Sequence, residues 1–158
     1  MKKLFFLAAI VTGSFIQNSF AQDSTMQYPL SQLLANYFGI KDALIAGNSS
    51  VASTQASEFI KTAGTIDKAI PHSSINALVK DVTSIAETKD IKKQREHFAG
   101  LSNNMAALAK TVKLTPAPVY QAYCPMKKAN WLSRNKEIKN PYYGNAMLTC
   151  GNVVETIN

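Results

Sequence analysis

Apolar residues return with the period of a helix in four successive stretches of this chain. In the first, Leu30, Leu33, Leu34, Tyr37, Leu44 and Ile45 form one stripe, interrupted by Lys41 and Asp42. The second steps by four and three through Ala52, Ala56, Phe59, Ala63, Ile66 and Ile70. The third places Ile75, Leu78, Val79, Val82, Ile85 and Ala86 on one face. The fourth sets Ile91, Phe98, Met105 and Val112 a heptad apart, with Leu101 and Leu108 filling the seam. Steps of three and four stack side chains on one side of a 3.6-residue helix, so each stretch has a face to hide against a neighbour.

The breaks between the stretches are punctuated. Gly47-Asn48-Ser49 closes the first helix and offers caps for the second. Pro71-His72-Ser73 separates the second from the third, because proline cannot continue a helix and serine caps the next one. Thr88-Lys89-Asp90 precedes the fourth, with Asp90 as its N-cap. Connections this short force consecutive helices to run antiparallel. The fold predicted is mostly α: an up-down antiparallel four-helix bundle within residues 22–112.

After Val112 the helical period stops. "KLTPAP" (113–118) holds two prolines and reads as an extended connection. "VYQAY" (119–123) is rich in β-formers and can pair with "AMLTCGNVV" (146–154), with Asn140-Pro141 and Gly144 marking a turn between them. Residues 113–158 are therefore expected as a small irregular lobe organised by a two-stranded ribbon. An isolated ribbon is marginal in water, so the lobe has to rest on the bundle as part of one domain. Trp131, Leu132, Ile138, Tyr142 and Tyr143 are the side chains available for that contact.

Composition changes the picture mainly through location. Lys2 and Lys3 precede the apolar run Leu4–Val11, and Ser19-Phe20-Ala21 puts small residues at −3 and −1 of a cut before Gln22. This is the layout of a cleavable secretory signal over residues 1–21, too short to span a bilayer, and it predicts an exported, periplasmic protein without stable membrane insertion. The net charge of the full chain is +7; without Lys2 and Lys3 it is about +5, and from Lys113 onward six basic residues face two acidic ones. Export removes nucleic acid as a partner, and the remaining lysines read as a solvated surface. Gly-rich phosphate loops, HExxH, CxxC and GxSxG are absent, and nothing local supports a Cys124–His97 nucleophile pair, so the expectation is a non-enzymatic protein.

The candidate chemistry is sulfur. The two cysteines, Cys124 and Cys150, each stand near a methionine, as Cys124-Pro125-Met126 and Met147-Leu148-Thr149-Cys150. Thiolate and thioether are the donors that soft ions such as Cu(I) and Ag(I) prefer, and they suit Ca²⁺ or Mg²⁺ badly. If the two half-sites meet, Cys124, Met126, Met147 and Cys150 make a sulfur cup, with His97 on the fourth helix as a further ligand. In an oxidising compartment the same two cysteines can equally form a disulfide across a loop of 26 positions, worth roughly 3–4 kcal/mol in the chain-entropy model, with the methionines filling core gaps. His72 reads as a helix-entry residue, and Arg95 and Glu96 as bundle-edge charges paired with the lobe.

"QREHFAGLS", "VYQAYCPM", "WLS", "EIKNPYYG" and "MLTCG", in that order, resemble an uncharacterised domain of Gram-negative exported proteins. The resemblance implies a helical bundle with a C-terminal sulfur-bearing block. It also implies an association with copper/silver heavy-metal efflux, because such domains occur fused to the periplasmic membrane-fusion subunits of those systems. Family members carry a longer, glycine-containing insertion where this chain has only "KKAN" between Cys-Pro-Met and Trp-Leu-Ser. Two functions remain open at this level. One is a protein that binds Cu(I) or a similar ion and buffers it or delivers it to an efflux subunit. The other is a disulfide-stapled interaction module that meets a partner through Trp131, Tyr142 and Tyr143.

Overall fold

The computed structural model describes residues 24–66 and 70–158, so the segment read as an export signal lies outside the described residues. Four helices come first: α1 (Ser24–Ala46), α2 (Ser49–Ala63), α3 (His72–Ala86) and α4 (Ile91–Thr111). Among the described residues no helix is long and apolar enough to cross a membrane. Their ends follow the punctuation in part. The Asn48 side chain accepts the Val51 amide at 3.0 Å, and Asp90 Oδ1 accepts the amides of Lys92 (2.9 Å) and Lys93 (3.4 Å). These caps satisfy amides that have no carbonyl one turn back. The third helix departs from expectation. Pro71, not a serine, is its N-cap residue, with no side-chain cap, and the Pro71 carbonyl takes the amides of Ser74 and Ile75.

The second helix also stops earlier than its apolar stripe. Gly64 and Thr65 turn the chain back on Ile60 and Thr62, and the Thr65 hydroxyl donates to the Thr62 carbonyl at 2.7 Å. Ile66 still packs on the core and Ile70 is buried within it, both reached from outside the helix. The apolar period reported burial correctly and helical extent incorrectly, because the turn chemistry of Gly64-Thr65 overrides it locally.

Polar contacts fix the helix directions. The Gln94 side-chain amide, at the start of α4, donates to Ser49 and Ser53 at the start of α2 and to Ile85 and Thr88 at the end of α3. Arg95 Nη2 donates to the Leu44 carbonyl at the end of α1, 2.8 Å away. One end of the bundle thus gathers the starts of α2 and α4 with the ends of α1 and α3, which is the up-down antiparallel arrangement. Within it Leu33, Leu44, Phe59, Leu78, Val82, Ile85, Phe98, Leu101 and Met105 are buried as their spacing requires.

The C-terminal lobe is a three-stranded antiparallel sheet in the order β2-β1-β3, where β1 is Val119–Cys124, β2 is Ala129–Ser133 and β3 is Asn152–Ile157. β1 pairs with β3, with an irregularity between Gln121 and Ala122, and it also pairs with β2, from Tyr120 opposite Ser133 to Cys124 opposite Ala129. The expected two-stranded ribbon therefore gains a strand. Its turn, Pro125 to Lys128, has no glycine or asparagine, and Lys128 itself takes the left-handed conformation (φ 55°) that such residues usually supply. That is why β2 is silent in the sequence.

Tyr37 joins lobe to bundle. Its ring stacks on Phe98 at 5.2 Å between centroids, and its hydroxyl both pairs with the Ser102 hydroxyl (2.8 Å) and accepts the Leu132 amide of β2 (2.9 Å). Phe98 then meets Tyr142 at 6.0 Å, and Tyr142 meets Trp131 edge-on at 6.2 Å. This aromatic chain runs from α1 through α4 into the lobe. The lobe therefore shares the bundle's core and does not merely rest on it.

Candidate functional site

Cys124 ends β1 and Cys150 stands two residues before β3, so the pairing of those two strands carries both sulfurs to one corner of the sheet. Their Sγ atoms are 4.0 Å apart, with Cys124 buried and Cys150 partly exposed; both are free thiols. A disulfide needs about 2.05 Å, so the sulfurs would have to close by about 2 Å to bond. An ion held at about 2.3 Å from each, the usual zinc–thiolate length, would subtend roughly 120° at the metal. That angle is nearer a three-coordinate than a tetrahedral site.

The corner is organised by a residue that the sequence reading used only as a turn marker. Asn140 is fully buried, and its Nδ2 donates both to Cys124 Sγ (3.1 Å) and to the Cys150 carbonyl (2.7 Å). Its Oδ1 accepts the Tyr142 amide at 2.8 Å, its own amide donates to Leu148, and its carbonyl accepts the Gly144 amide. Nδ2 thus ties the loop that bears Cys150 to the strand that bears Cys124, and the other polar groups of Asn140 fold that loop on itself. The Lys127 amide adds a second, longer donation to Cys124 Sγ at 3.4 Å. The Asn-Pro dipeptide signals a turn, but nothing in it says that the asparagine side chain points inward.

The Cys150 thiol is pushed above its ordinary range, first by desolvation and then by the neighbouring Cys124 sulfur, with the Met126 amide opposing both. Two thiolates 4.0 Å apart would repel, and a cation between them removes that repulsion.

The other expected ligands are distributed differently. Met126 lies in the β1–β2 turn with its side chain 63% exposed, while its backbone amide reaches the Cys150 thiol. Met147 caps the single-turn helix Gly144–Ala146, is half-buried, and accepts the Cys150 amide on its carbonyl at 3.1 Å. His97 is exposed on α4, and no three His, Cys, Asp or Glu side chains gather as a metal-holding group among the described residues, so it does not join the thiols. His72 is exposed at the start of α3. Arg95, read as an edge charge paired with the lobe, donates to the end of α1 and stands beside Gly144 of the lobe. It lies so close to Gly144 that a Cβ there would stand 2.6 Å from Nη2.

The aromatic residues assigned to a partner surface need correction. Trp131 is 1% exposed and packs on the backbone of Gly151, and Tyr142 is buried with its hydroxyl donating to the Asn130 carbonyl. Both are too large and too apolar to stay outside when the lobe shares the bundle's core, and only Tyr143 keeps partial exposure. Trp131 instead packs against Gly151, the residue that follows Cys150.

A four-helix bundle whose last helix supports a small sheet, with a free dithiol at the sheet's corner, is the class that fold and site define. The chain belongs to the family described as protein of unknown function (DUF3347), whose model matches residues 33–116. The match runs from within α1 to the connection before β1, so both cysteines lie beyond it. No curated protein and no solved structure matches the chain.

Proposed function

We propose that this is an exported, non-enzymatic protein that binds Cu(I) or a similar soft ion between Cys124 and Cys150. It would buffer the ion in the periplasm or pass it to a membrane-fusion subunit of a heavy-metal efflux system. The observation that carries the reading is the free dithiol at 4.0 Å, with an amide donor aimed at the buried sulfur. Two thiolates satisfy a soft monovalent ion, and a thioether from Met147 or Met126 is the soft third donor that an angle near 120° leaves room for. The efflux link rests on the sequence resemblance of the Cys-Pro-Met and Met-Leu-x-Cys-Gly blocks.

Competition with a chromophoric Cu(I) chelator under reducing conditions tests the proposal, with the single tryptophan as an internal reporter because Trp131 packs beside the site. One Cu(I) per chain, with altered Trp131 emission, is expected. Cys124→Ser and Cys150→Ser should each lose at least about tenfold in affinity, and His97→Ala none. Absence of competition by the reduced protein defeats the reading.

A second reading keeps a specific observation: two free thiols stand 4.0 Å apart at one corner, and a closure of about 2 Å would join them. Quantitative Cys124–Cys150 bonding in protein isolated from the envelope, with no Cu(I) uptake after mild reduction, would favour a disulfide-stapled module. With Trp131 and Tyr142 buried, such a module would have to meet its partner elsewhere than on those rings.

A further inference from the structure

A second concavity lies where α1 meets the connection into β1, apart from the sulfur corner and independent of the reading given to it. Leu34 and Phe38, one turn apart on α1, face Pro118 and Val119 across a cleft of about 200 Å³. Leu34, Phe38 and Val119 are otherwise buried, so the half-open cleft reaches side chains of the core. No acidic residue lines it. Its single charged group is Arg134, just past β2, whose guanidinium sits 4.4 Å above the Phe38 ring.

The charge at the mouth is not fully matched. The nearest carboxylate, Asp42, stands 3.7 Å from Arg134 Nη1 through one oxygen, while its other oxygen is 2.6 Å from the buried Lys41 ammonium. One carboxylate thus serves two cations, and the closer contact belongs to Lys41. Arg134 retains donors that a planar carboxylate fits in bidentate fashion, and stacking on Phe38 holds the guanidinium plane at the cleft.

We propose that this cleft is a binding site for a small aromatic monocarboxylate, its ring against Phe38, Leu34 and Val119 and its carboxylate on Arg134. Size supports a single ring: an apolar cavity of about 150 Å³ is enough for benzene, so this one admits a ring with a short carboxylate arm and little more. Thr115 at the lining adds a hydroxyl donor for the carboxylate, whereas the Ser31 hydroxyl is already donated to the Tyr28 carbonyl.

The test is a titration of the full chain with phenylacetate, followed by the methyl resonances of Leu34 and Val119, with uncharged phenylacetamide as comparison. Saturable shifts at those methyls are expected, with phenylacetate binding more tightly. Arg134→Gln, at an exposed side chain, should weaken phenylacetate about tenfold and leave phenylacetamide unchanged. Ala117→Phe, at an exposed lining position, should fill the cleft and abolish the response to both; if that variant fails to fold, the Arg134→Gln comparison decides alone. The proposal is overturned if phenylacetate gives no saturable shift or if phenylacetamide binds equally well. It is also overturned if the cleft of the free protein already holds another segment of this chain.

Discussion

Asn140 shows how one side chain can hold two cysteines at one corner of the fold. Replacing it with leucine keeps the volume and removes the donors to Cys124 Sγ and the Cys150 carbonyl, while the Tyr142 amide loses its acceptor. Groups left buried and unpaired cost about 1–3 kcal/mol each, so Asn140→Leu should destabilise the fold by roughly 2–4 kcal/mol, read as a lower urea midpoint. If the sulfur corner binds Cu(I), the same variant should bind it more weakly than its loss of stability explains. That comparison is made well below the unfolding midpoint. The cysteines and their flanking methionines could be picked out as candidates in the sequence because sulfur is scarce and its chemistry distinctive. Asn140 could not, because an asparagine before proline has the same signature whether its amide faces water or a buried thiol.

Among the elements, the helices are the legible part and the sheet the illegible one. A helix declares itself through local repetition, and Asp90 and Asn48 cap where their side chains suggest. β2 depends on a partner strand and on Lys128 in a left-handed turn, neither of which is a local property. The junction between the two halves hinges on Gly144. Its φ is 55°, and an added Cβ would lie 2.6 Å from Arg95 Nη2 and 2.8 Å from the Ile45 carbonyl. Gly144→Ala should therefore cost about 2 kcal/mol or more and loosen the lobe from α1, visible as faster amide exchange around residues 140–150 while the helices keep their protection. Unchanged exchange in the loop would mean that the close approach at Gly144 does not hold the lobe.

For the whole molecule, the buried titratable groups set an alkaline limit. Burial pushes the Tyr37 and Tyr142 hydroxyls far above their ordinary values, and desolvation raises the Cys150 thiol. The unfolded chain would release these protons first, at about pH 8.5 for the thiol and about pH 10 for the phenols. The stability they confer is thus fully present below those values and is lost as pH climbs beyond them. Urea midpoints should be flat through neutrality, begin to decline above about pH 9 and fall steeply above about pH 10. Tyr37→Phe should flatten part of the steep limb, at the expense of the Leu132 amide, which loses its acceptor. A midpoint insensitive to pH up to 11 would contradict the buried phenol network.

By itself the sequence determined the number of helices, most of their boundaries and the residues they bury, because helical periodicity, caps and proline breaks act over a few residues at a time. It also singled out the sulfur residues of the C-terminal lobe as candidates. Only the tertiary structure decided which donors meet: two thiols brought to one corner, one methionine turned out to solvent, a histidine left on a bundle face and an unremarked asparagine at the centre. Strand pairing and the shared aromatic core join residues far apart along the chain, and no local pattern encodes the outcome of that packing.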